Sequence, residues 1–429
     1  MSLRRFAILG LAAMLLASFV ALAAPADATG YAPERTYRVT VENLTSNQTI
    51  TPVVVASHQR AFRLFEEGAA ASPGLQQLAE NGGVPDLAGE LVANERVSDV
   101  AVVGEGPIAP GTSATSYVTA TRHANRLSVA GMLICTNDGF AGATSLRLPW
   151  RLGSERTTAA NAYDAGTEIN TELYVDLVEP CDGVGGSGES NPALAEGGVV
   201  HGHEGIVGSD DLSVAQHGWT DPVMRITVER VRLYEVTVSN LTGTQLLTPI
   251  VFATQYGRHR VFRPGAAASN GIQQLAENGG VSVLVDELNA KRGIGTVAVV
   301  GSGPIAPGES VSATVGVGDH AGRVSLAGMM ICTNDGFAGV DSGRLPRWVG
   351  DSQTFSGNAY DAGTEINTEL YVDLVEPCDG MGSSGTSTPA LAEGGVVHGH
   401  EGIVGSGDLS VAQHGWMDPV LEVTVTRIG

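Results

Sequence analysis

Alternation of apolar and polar residues marks several short segments of the chain as β-strands. Residues 37–42 (YRVTVE), 116–121 (SYVTAT) and 225–229 (RITVE) alternate in the way that is typical of strands with one buried face. Residues 52–56 (PVVVA) form an apolar run, which predicts a more fully buried strand. Gly-Pro, Pro-Gly and Asp-Gly pairs between such segments predict turns. Many short strands with antiparallel-type turns favour a mostly β sandwich over a parallel α/β sheet.

One segment departs from this pattern. Apolar residues recur at helical spacing within residues 75–80 and then at Val84, Leu87, Leu91 and Val92. This spacing predicts a short helical insert between two strands.

The whole pattern occurs twice along the chain. Tyr234 follows Tyr37 at an offset of 197 residues, and the same offset aligns the two copies from end to end without a gap. A unit of about 195 residues suits a whole domain better than one repeat of a solenoid. The sequence therefore predicts two copies of one domain, at residues 37–231 and 234–428. No Gly-, Ser- or Pro-rich linker separates them, so we expect them to lie close together.

The N-terminal residues have the features of a targeting segment. Arg4 and Arg5 precede an apolar run at residues 6–24, which is followed by small residues. This order predicts a secretory signal peptide at residues 1–28, with a retained membrane anchor as the alternative. No other stretch is long and apolar enough to span a bilayer. We therefore expect a secreted protein, extracellular or periplasmic, with no transmembrane segment after cleavage.

The balance of charges narrows the choice of partners. The formal net charge is −22, and Lys291 is the only lysine among the 24 basic residues. Such a balance argues against a nucleic-acid partner, which a basic surface would recognise. It is compatible with bound cations or with a salty environment, although a solubilising surface is the better explanation of the net charge itself.

The four cysteines have the same spacing in both copies, 46 residues within each pair. Together with the expected export, this spacing favours one disulfide per repeat, Cys135–Cys181 and Cys332–Cys378. Four cysteines allow three pairings, and free buried thiols are the alternative. The absence of a CxxC spacing argues against a thiolate metal site.

Two blocks that recur unchanged carry acidic residues in glycine-bearing loops. ICTNDGFAG at residues 134–142 returns at 331–339, and NAYDAGTEINTELYVDLVEPCDG at 161–183 returns at 358–380. Calcium takes six to eight oxygen ligands and tolerates irregular geometry, so such loops are candidate calcium sites. The alternative is that the aspartates form turns by bonding their own backbone, and residue types alone do not decide between the two. The candidate ligands are Asp138, Asp164 and Glu168 in the first repeat and Asp335, Asp361 and Glu365 in the second.

A histidine-rich segment, HGHEG, supplies a second candidate metal site in each repeat. Histidines two apart on a strand face the same side and could chelate zinc or copper, with the neighbouring glutamate as a general base. The helical HExxH motif of metalloproteases is absent, and hydrogen-bonding loop histidines are the alternative. The candidate ligands are His201 and His203 in the first repeat and His398 and His400 in the second.

The succession NLTSNQTITPVVVASH, LFEEGAAAS, LQQLAENGG, TNDGF and AYDAGTE resembles the spondin domain family over nearly all of each repeat. The resemblance implies two tandem C2-like antiparallel β-sandwich domains, each binding one Ca²⁺ through the acidic loop residues named above. Glu168 and Glu365 stand where animal members carry aspartate, which changes the reach of that ligand. No thrombospondin-type repeat accompanies the domains, so the adhesive and neuronal roles of animal members are not carried over.

The sequence therefore predicts an exported, calcium-binding tandem β-sandwich protein that acts as a non-enzymatic extracellular binding or adhesion module. Its partner is an unknown extracellular ligand, such as a glycan, a matrix component or a cell-surface component. The alternatives are a metal-dependent hydrolase that uses the HGHEG segments and a purely structural envelope protein.

Overall fold

A computed structural model describes residues 34–179, 181, 191–378 and 389–429. The predicted signal peptide at residues 1–28 lies outside the described residues. Strands account for 38% of the residues and helices for 15%, which confirms the prediction of a mostly β protein with few helices. Within the described residues, the helices are all too short or too polar to cross a bilayer.

Within the described residues, the first repeat contains eight complete strands, the first half of a ninth and three helices. It also has 3₁₀ turns at Tyr174–Asp176 and Pro192–Leu194. In chain order these are β1 (Arg35–Asn43), β2 (Val53–His58), α1 (Pro73–Asn81), α2 (Val84–Val92), β3 (Val97–Val103), β4 (Ser113–Ala120), β5 (Arg126–Met132), β6 (Gly139–Arg147), β7 (Glu155–Asp164), β8 (His201–Gly202), α3 (Val214–His217) and β9 (Met224–Asn240).

The second repeat has the same order, with 3₁₀ turns at Tyr371–Asp373 and Pro389–Leu391. Its elements are β10 (Ile250–Gln255), α4 (Asn270–Asn278), α5 (Val281–Ala290), β11 (Ile294–Val300), β12 (Ser310–Val317), β13 (Arg323–Met329), β14 (Gly336–Arg344), β15 (Ser352–Asp361), β16 (His398–Gly399), α6 (Val411–His414) and β17 (Leu421–Arg427).

Each repeat is a sandwich of two antiparallel sheets. In the first repeat one sheet has the order β4-β1-β9-β7 and the other β3-β2-β5-β6-β7-β8. Strand β7 belongs to both, because residues 155–160 pair with β9 and residues 161–164 pair with β6. In the second repeat the orders are β12-β9-β17-β15 and β11-β10-β13-β14-β15-β16. Apolar side chains from both sheets, such as Val39, Val55 and Ile226, form the core between them.

The helical insert covers the outer face of the larger sheet as two helices rather than one. Ser72 caps α1 by accepting a hydrogen bond from the Leu75 amide (3.3 Å), and Gly82 ends it with a φ of 64°, a conformation that favours glycine. Leu78 of α1 and Leu87 of α2 are buried against this face of the sheet. A second, smaller core therefore lies between the helices and the sandwich.

The two repeats share one strand. The chain runs through β9 without a turn: residues 224–231 pair with β1, and residues 232–239 pair with β12. The sequence indicated two strands here, one ending near residue 231 and one opening at Tyr234, whereas the structure shows a single strand of 17 residues. The side chain of Tyr117 adds a contact between the repeats, because its hydroxyl accepts a hydrogen bond from the Gly316 amide (3.0 Å). The domain limits 37–231 and 234–428 stay a prediction.

Both expected disulfides are present. Cys135 is bonded to Cys181 and Cys332 to Cys378, each with a Cα–Cα distance of 5.3 Å. The first disulfide lies in a small apolar cluster with Ile134. This pairing excludes the alternative of free thiols.

Removal of one disulfide is predicted to destabilise the protein strongly. A closed loop of 46 residues restricts the unfolded chain, and its loss costs about 4 kcal/mol in the chain-entropy description. We expect Cys135→Ala/Cys181→Ala to lower the free energy of unfolding in urea by this order of magnitude. Cys332→Ala/Cys378→Ala is the matched pair in the other repeat and should have a similar effect. An unchanged urea midpoint in both variants would contradict the prediction.

Candidate functional site

The loop that carries Asp138 is a tight turn between β5 and β6. Thr136 fixes it: its hydroxyl donates a hydrogen bond to the Leu133 carbonyl (2.6 Å) and accepts one from the Gly139 amide (2.9 Å). A Cβ at position 139 would come within 2.5 Å of the Thr136 hydroxyl oxygen, so only glycine fits there. The TNDG sequence therefore places Asp138 at the end of the hairpin with a defined orientation.

The Asp138 carboxylate is fully buried and joins two loops. Its Oδ2 accepts hydrogen bonds from the Thr167 amide (2.7 Å), the Thr167 hydroxyl (3.2 Å) and the Glu168 amide (3.1 Å). Its Oδ1 has no hydrogen-bond partner among the residues that the structure describes. Asp335 repeats this arrangement in the second repeat, with the Thr364 amide at 2.7 Å and an unpartnered Oδ1.

Asp164 ends β7 and is also buried. Its Oδ1 accepts a hydrogen bond from the Gly166 amide (2.7 Å), and its Oδ2 accepts one from the Asn170 side chain (2.6 Å). Gly166 has a φ of 68°, and a Cβ there would come within 2.5 Å of the Val199 backbone. Asp164 thus bonds its own turn, as the turn-forming alternative expects, whereas Asp138 bonds the backbone of a different loop.

Glu168 points its carboxylate towards the segment after the second cysteine. Its Oε1 accepts a hydrogen bond from the Asn191 amide (2.9 Å), and within the described ranges its Oε2 has no hydrogen-bond partner. The equivalent Glu365 is buried to the same degree.

Burial raises the pKa of three of the acidic groups, Asp138, Glu168 and Asp335. It raises the pKa of Asp138 to about 6, with a further contribution from the negative charge of Asp164. It raises the pKa of Glu168 to about 7, and the charge of Glu80 adds to this rise. The pKa of Asp335 is likewise raised to about 6. An ionised carboxylate is therefore held in each loop at a cost that a nearby cation would offset.

The histidine segment lies beside these loops. His201 Nε2 is 3.5 Å from Asp164 Oδ1, and His398 Nε2 is 3.5 Å from Asp361 Oδ1. The pKa of His201 is raised, first by the carbonyl of Gly202 that its Nδ1 contacts and then by the charge of Asp164. HGHEG thus contributes a side chain to the rim of the acidic site.

The second histidine of each segment faces a different environment. The His203 ring packs edge-on against Trp219 with centroids 5.0 Å apart, and its Nδ1 accepts a hydrogen bond from the Gly205 amide (3.0 Å). Burial lowers the pKa of His203. His400 packs in the same way against Trp416 at 5.0 Å.

The structure brings together a set of potential ligands that the sequence did not single out. In the described part of the chain, the acidic and histidine side chains whose ligand atoms lie within 4.8 Å of one another are Asp164, Glu196 and His201, and, in the second repeat, Asp361, Glu393 and His398. Asp138 and Glu168 lie outside these sets, although the Asp138 carboxylate contacts the loop that joins Asp164 to Glu168.

Glu196 lies in the segment ALAEGGVV, which recurs unchanged at the equivalent positions of the second repeat. That recurrence was the only signal for it in the sequence. Calcium ligation by the predicted acidic residues, and transition-metal ligation by the histidines, stay predictions.

The Spondin_N family model matches residues 41–173 and 244–371. The chain belongs to the spondin family. One matched segment lies in each repeat, and together the two segments contain all six predicted acidic ligands. They end before the HGHEG segments, so the histidines that flank the spondin loops lie outside the matched residues. No curated protein matches the chain.

The raised pKa values predict how stability depends on pH in the absence of metal. Because the pKa of Glu168 is about 7 in the folded protein and 4.5 in the reference state, the folded state binds more protons between these values. The free-energy cost of ionising the buried Glu168 carboxyl group is absent below pH 4.5, grows as the pH rises and is complete above pH 7. At about 1.4 kcal/mol per pKa unit, the penalty is on the order of 3 kcal/mol.

We therefore expect Glu168→Gln to stabilise the calcium-free protein at pH 8 and to have a much smaller effect at pH 5. Glutamine keeps an oxygen that can accept the hydrogen bond from Asn191. The measurement is the free energy of unfolding in EGTA at the two pH values. A variant that is equally destabilised at both would show that Glu168 carries no burial penalty.

Proposed function

We propose that this protein is an exported, calcium-binding tandem spondin protein that acts as a non-enzymatic binding or adhesion module. Membership of the spondin family supports an extracellular binding module in general terms. The two disulfides are consistent with an extracellular protein. Calcium and the adhesive role are the specific parts of the proposal.

One observation carries the calcium proposal. In each repeat a fully buried aspartate, Asp138 or Asp335, has one carboxylate oxygen without a hydrogen-bond partner in the described structure. An unpaired buried charge is costly, so buried carboxylates are normally paired or coordinate a metal. Glu168 Oε2 is a second such oxygen in the first repeat. A cation bound between the loops would satisfy these oxygens.

The donor set favours calcium among the common cations. The buried polar side chains of the loops offer oxygen atoms, from the carboxylates of Asp138, Asp164 and Glu168 and from Thr136 and Asn137. Hard oxygen ligands in irregular loops suit Ca²⁺, whereas Mg²⁺ demands near-octahedral geometry. Asp138, Asp164 and Glu168 would hold the ion in the first repeat, and Asp335, Asp361 and Glu365 in the second.

Calcium is predicted to stabilise the protein through these loops. At a concentration 100-fold above its Kd, a ligand specific for the folded state adds about 2.7 kcal/mol to the free energy of unfolding. We expect calcium to raise the melting temperature of the EGTA-stripped protein, and Asp138→Asn/Asp335→Asn to abolish most of this rise. Isothermal titration should show two sites per chain in the wild type.

The matched control is Asp86→Asn/Asp286→Asn, which makes the same chemical change once in each repeat on exposed helical residues. This control should keep the calcium response. A full response in the Asp138→Asn/Asp335→Asn variant would contradict the assignment. Stoichiometric zinc in elemental analysis, lost on His201→Ala/His398→Ala, would instead favour the site formed with Glu196 and Glu393.

The binding role predicts calcium-dependent capture of an extracellular ligand. Two sites on one chain raise avidity for a repeated surface if both can engage it. We expect binding on a glycan or matrix-component array that EGTA removes and that Asp138→Asn/Asp335→Asn weakens. Calcium-dependent stability without any calcium-dependent capture would identify a purely structural envelope protein instead.

A further inference from the structure

An arginine-rich cleft lies in the second repeat, away from the acidic loops. It has a volume of about 540 Å³, and its charged lining consists of Arg232, Arg323, Arg344, Arg347 and His320. No carboxylate lines it within the described residues. The chain has 46 acidic residues and only 24 Lys and Arg, so a cleft lined by four arginines without a carboxylate is a marked local reversal of charge. We call it the arginine cleft.

Two of these arginines are held directly opposite each other. Arg323 at the start of β13 pairs in register with Arg344 at the end of β14. The first repeat has the same arrangement, with Arg126 opposite Arg147. Like charges directly opposite on neighbouring strands destabilise a sheet. Both repeats therefore carry this unfavourable pair at the same place, where a bound anion would offset the repulsion.

The contacts of the arginines fix their positions without neutralising them. Arg232 donates from Nη2 to the carbonyls of Asp319 (2.7 Å) and Ala321 (3.2 Å), and Arg323 donates from Nη1 to the Ser342 carbonyl (2.8 Å). The Nε of Arg232 is buried and has no hydrogen-bond partner in the described ranges. Carbonyl oxygens orient a guanidinium but bring no negative charge. The Asp319 carboxylate next to the lining accepts hydrogen bonds from the Ala321 amide (2.6 Å) and the Thr254 hydroxyl (2.6 Å), so the arginines still outnumber the acidic groups there.

The first repeat conserves the pattern of positive charge. At the offset of 197 residues, Arg35, Arg126 and Arg147 correspond to Arg232, Arg323 and Arg344. Arg126 Nε is likewise buried without a partner in the part of the chain that is described. Burial, and then the charges of neighbouring arginines, lowers the pKa of Arg126. The charge cluster is thus a property of both spondin copies.

We propose that the arginine cleft binds a ligand bearing phosphate or sulfate groups. A guanidinium presents a planar fork of donors that pairs with two oxygens of such a group, and Arg is the residue that suits this recognition. The volume of the cleft falls in the range of about 300–1,000 Å³ that small-molecule sites occupy. The opposed pair Arg323 and Arg344 supplies two guanidinium groups to one anion, and Arg232 adds a third positive charge to the lining.

Inorganic phosphate and sulfate test the proposal on the full chain. In EGTA, we expect either salt to raise the melting temperature more than sodium chloride at equal ionic strength. Arg323→Gln/Arg344→Gln should weaken phosphate binding, measured by isothermal titration, about tenfold or more. In anion-free buffer the same variant should be as stable as the wild type or more stable, because it removes the like-charge pair.

The matched control is Arg263→Gln/Arg292→Gln, which removes two exposed positive charges from the same repeat outside the cleft. It should keep wild-type phosphate affinity. Absence of phosphate and sulfate binding in the wild type would overturn the proposal, as would unchanged affinity in the Arg323→Gln/Arg344→Gln variant. Should that variant fail to fold, the wild-type titration still decides.

A second arm separates the sources of the anion. A phosphorylated and a sulfated oligosaccharide of equal length are titrated into the wild type and into the Arg323→Gln/Arg344→Gln variant. If one oligosaccharide binds the wild type more tightly than inorganic phosphate or sulfate does, and this gain is lost in the variant, that oligosaccharide identifies the class of the natural ligand. Equal affinity for the oligosaccharide and the free ion would assign the cleft to a free oxyanion.

Discussion

Hydrogen bonding along a single strand, β9, holds both halves of the protein together. The strand lies between β1 and β7 in the first sandwich and between β12 and β17 in the second. Val228 is buried in the core of the first sandwich and Val236 in the core of the second, and an even number of residues separates them. Val231, which lies between them, is also buried although it is an odd number of residues from each. A slip of one residue in either sheet would turn buried side chains outward, so the register of each sandwich constrains the other. The two repeats, which were expected to lie close together because no linker separates them, are therefore joined by one continuous strand that is hydrogen-bonded in both sandwiches.

The two carboxylate oxygens of Asp138 have different surroundings in the acidic loops. Oδ2 of Asp138 ties the β5–β6 turn to the loop after β7, and this leaves Oδ1 buried without a partner in the described structure. Hydrogen bonds to the backbone therefore occupy Oδ2, and Oδ1 is the oxygen on which the calcium proposal depends. Asp164 satisfies its own turn through the Gly166 amide and still places a negative charge beside Asp138. Fixed backbone donors set the positions of these carboxylates, and such preorganisation would favour the affinity of the proposed cation site.

Local patterns in the sequence predicted the parts of the structure that depend on neighbouring residues. The alternating segment 37–42 lies in β1, and the spacing of Leu75 and Leu87 predicted the helical insert. The recurring cysteine spacing gave the correct disulfides. Because the segment between residues 225 and 240 contains neither glycine nor proline, its continuity as one strand was readable in principle, but the duplicated pattern suggested a boundary there.

Local sequence patterns could not predict the contacts between segments that are distant along the chain. The proximity of His201 to Asp164 depends on the short β8 pairing with the end of β7, and Glu196 is placed nearby by the hydrogen bond from its amide to the Thr167 carbonyl (3.2 Å). Nothing in the spacing of these residues fixes that pairing. The opposition of Arg126 and Arg147 depends on register across β5 and β6, which shifts between Leu127 and Val129. An irregularity of this kind changes which side chains face each other and has no local signature in the sequence.

The β5–β6 hairpin relates the two charged features to each other. Asp138 lies at its closed end, and Arg126 and Arg147 lie at its open end, separated by the seven residues of β5. At about 3.3 Å per residue, the two ends are roughly 20 Å apart. The hairpin of β13 and β14 repeats this polarity with Asp335 and the pair Arg323 and Arg344. Each spondin copy therefore has a buried aspartate at one end of this hairpin and an opposed pair of arginines at the other.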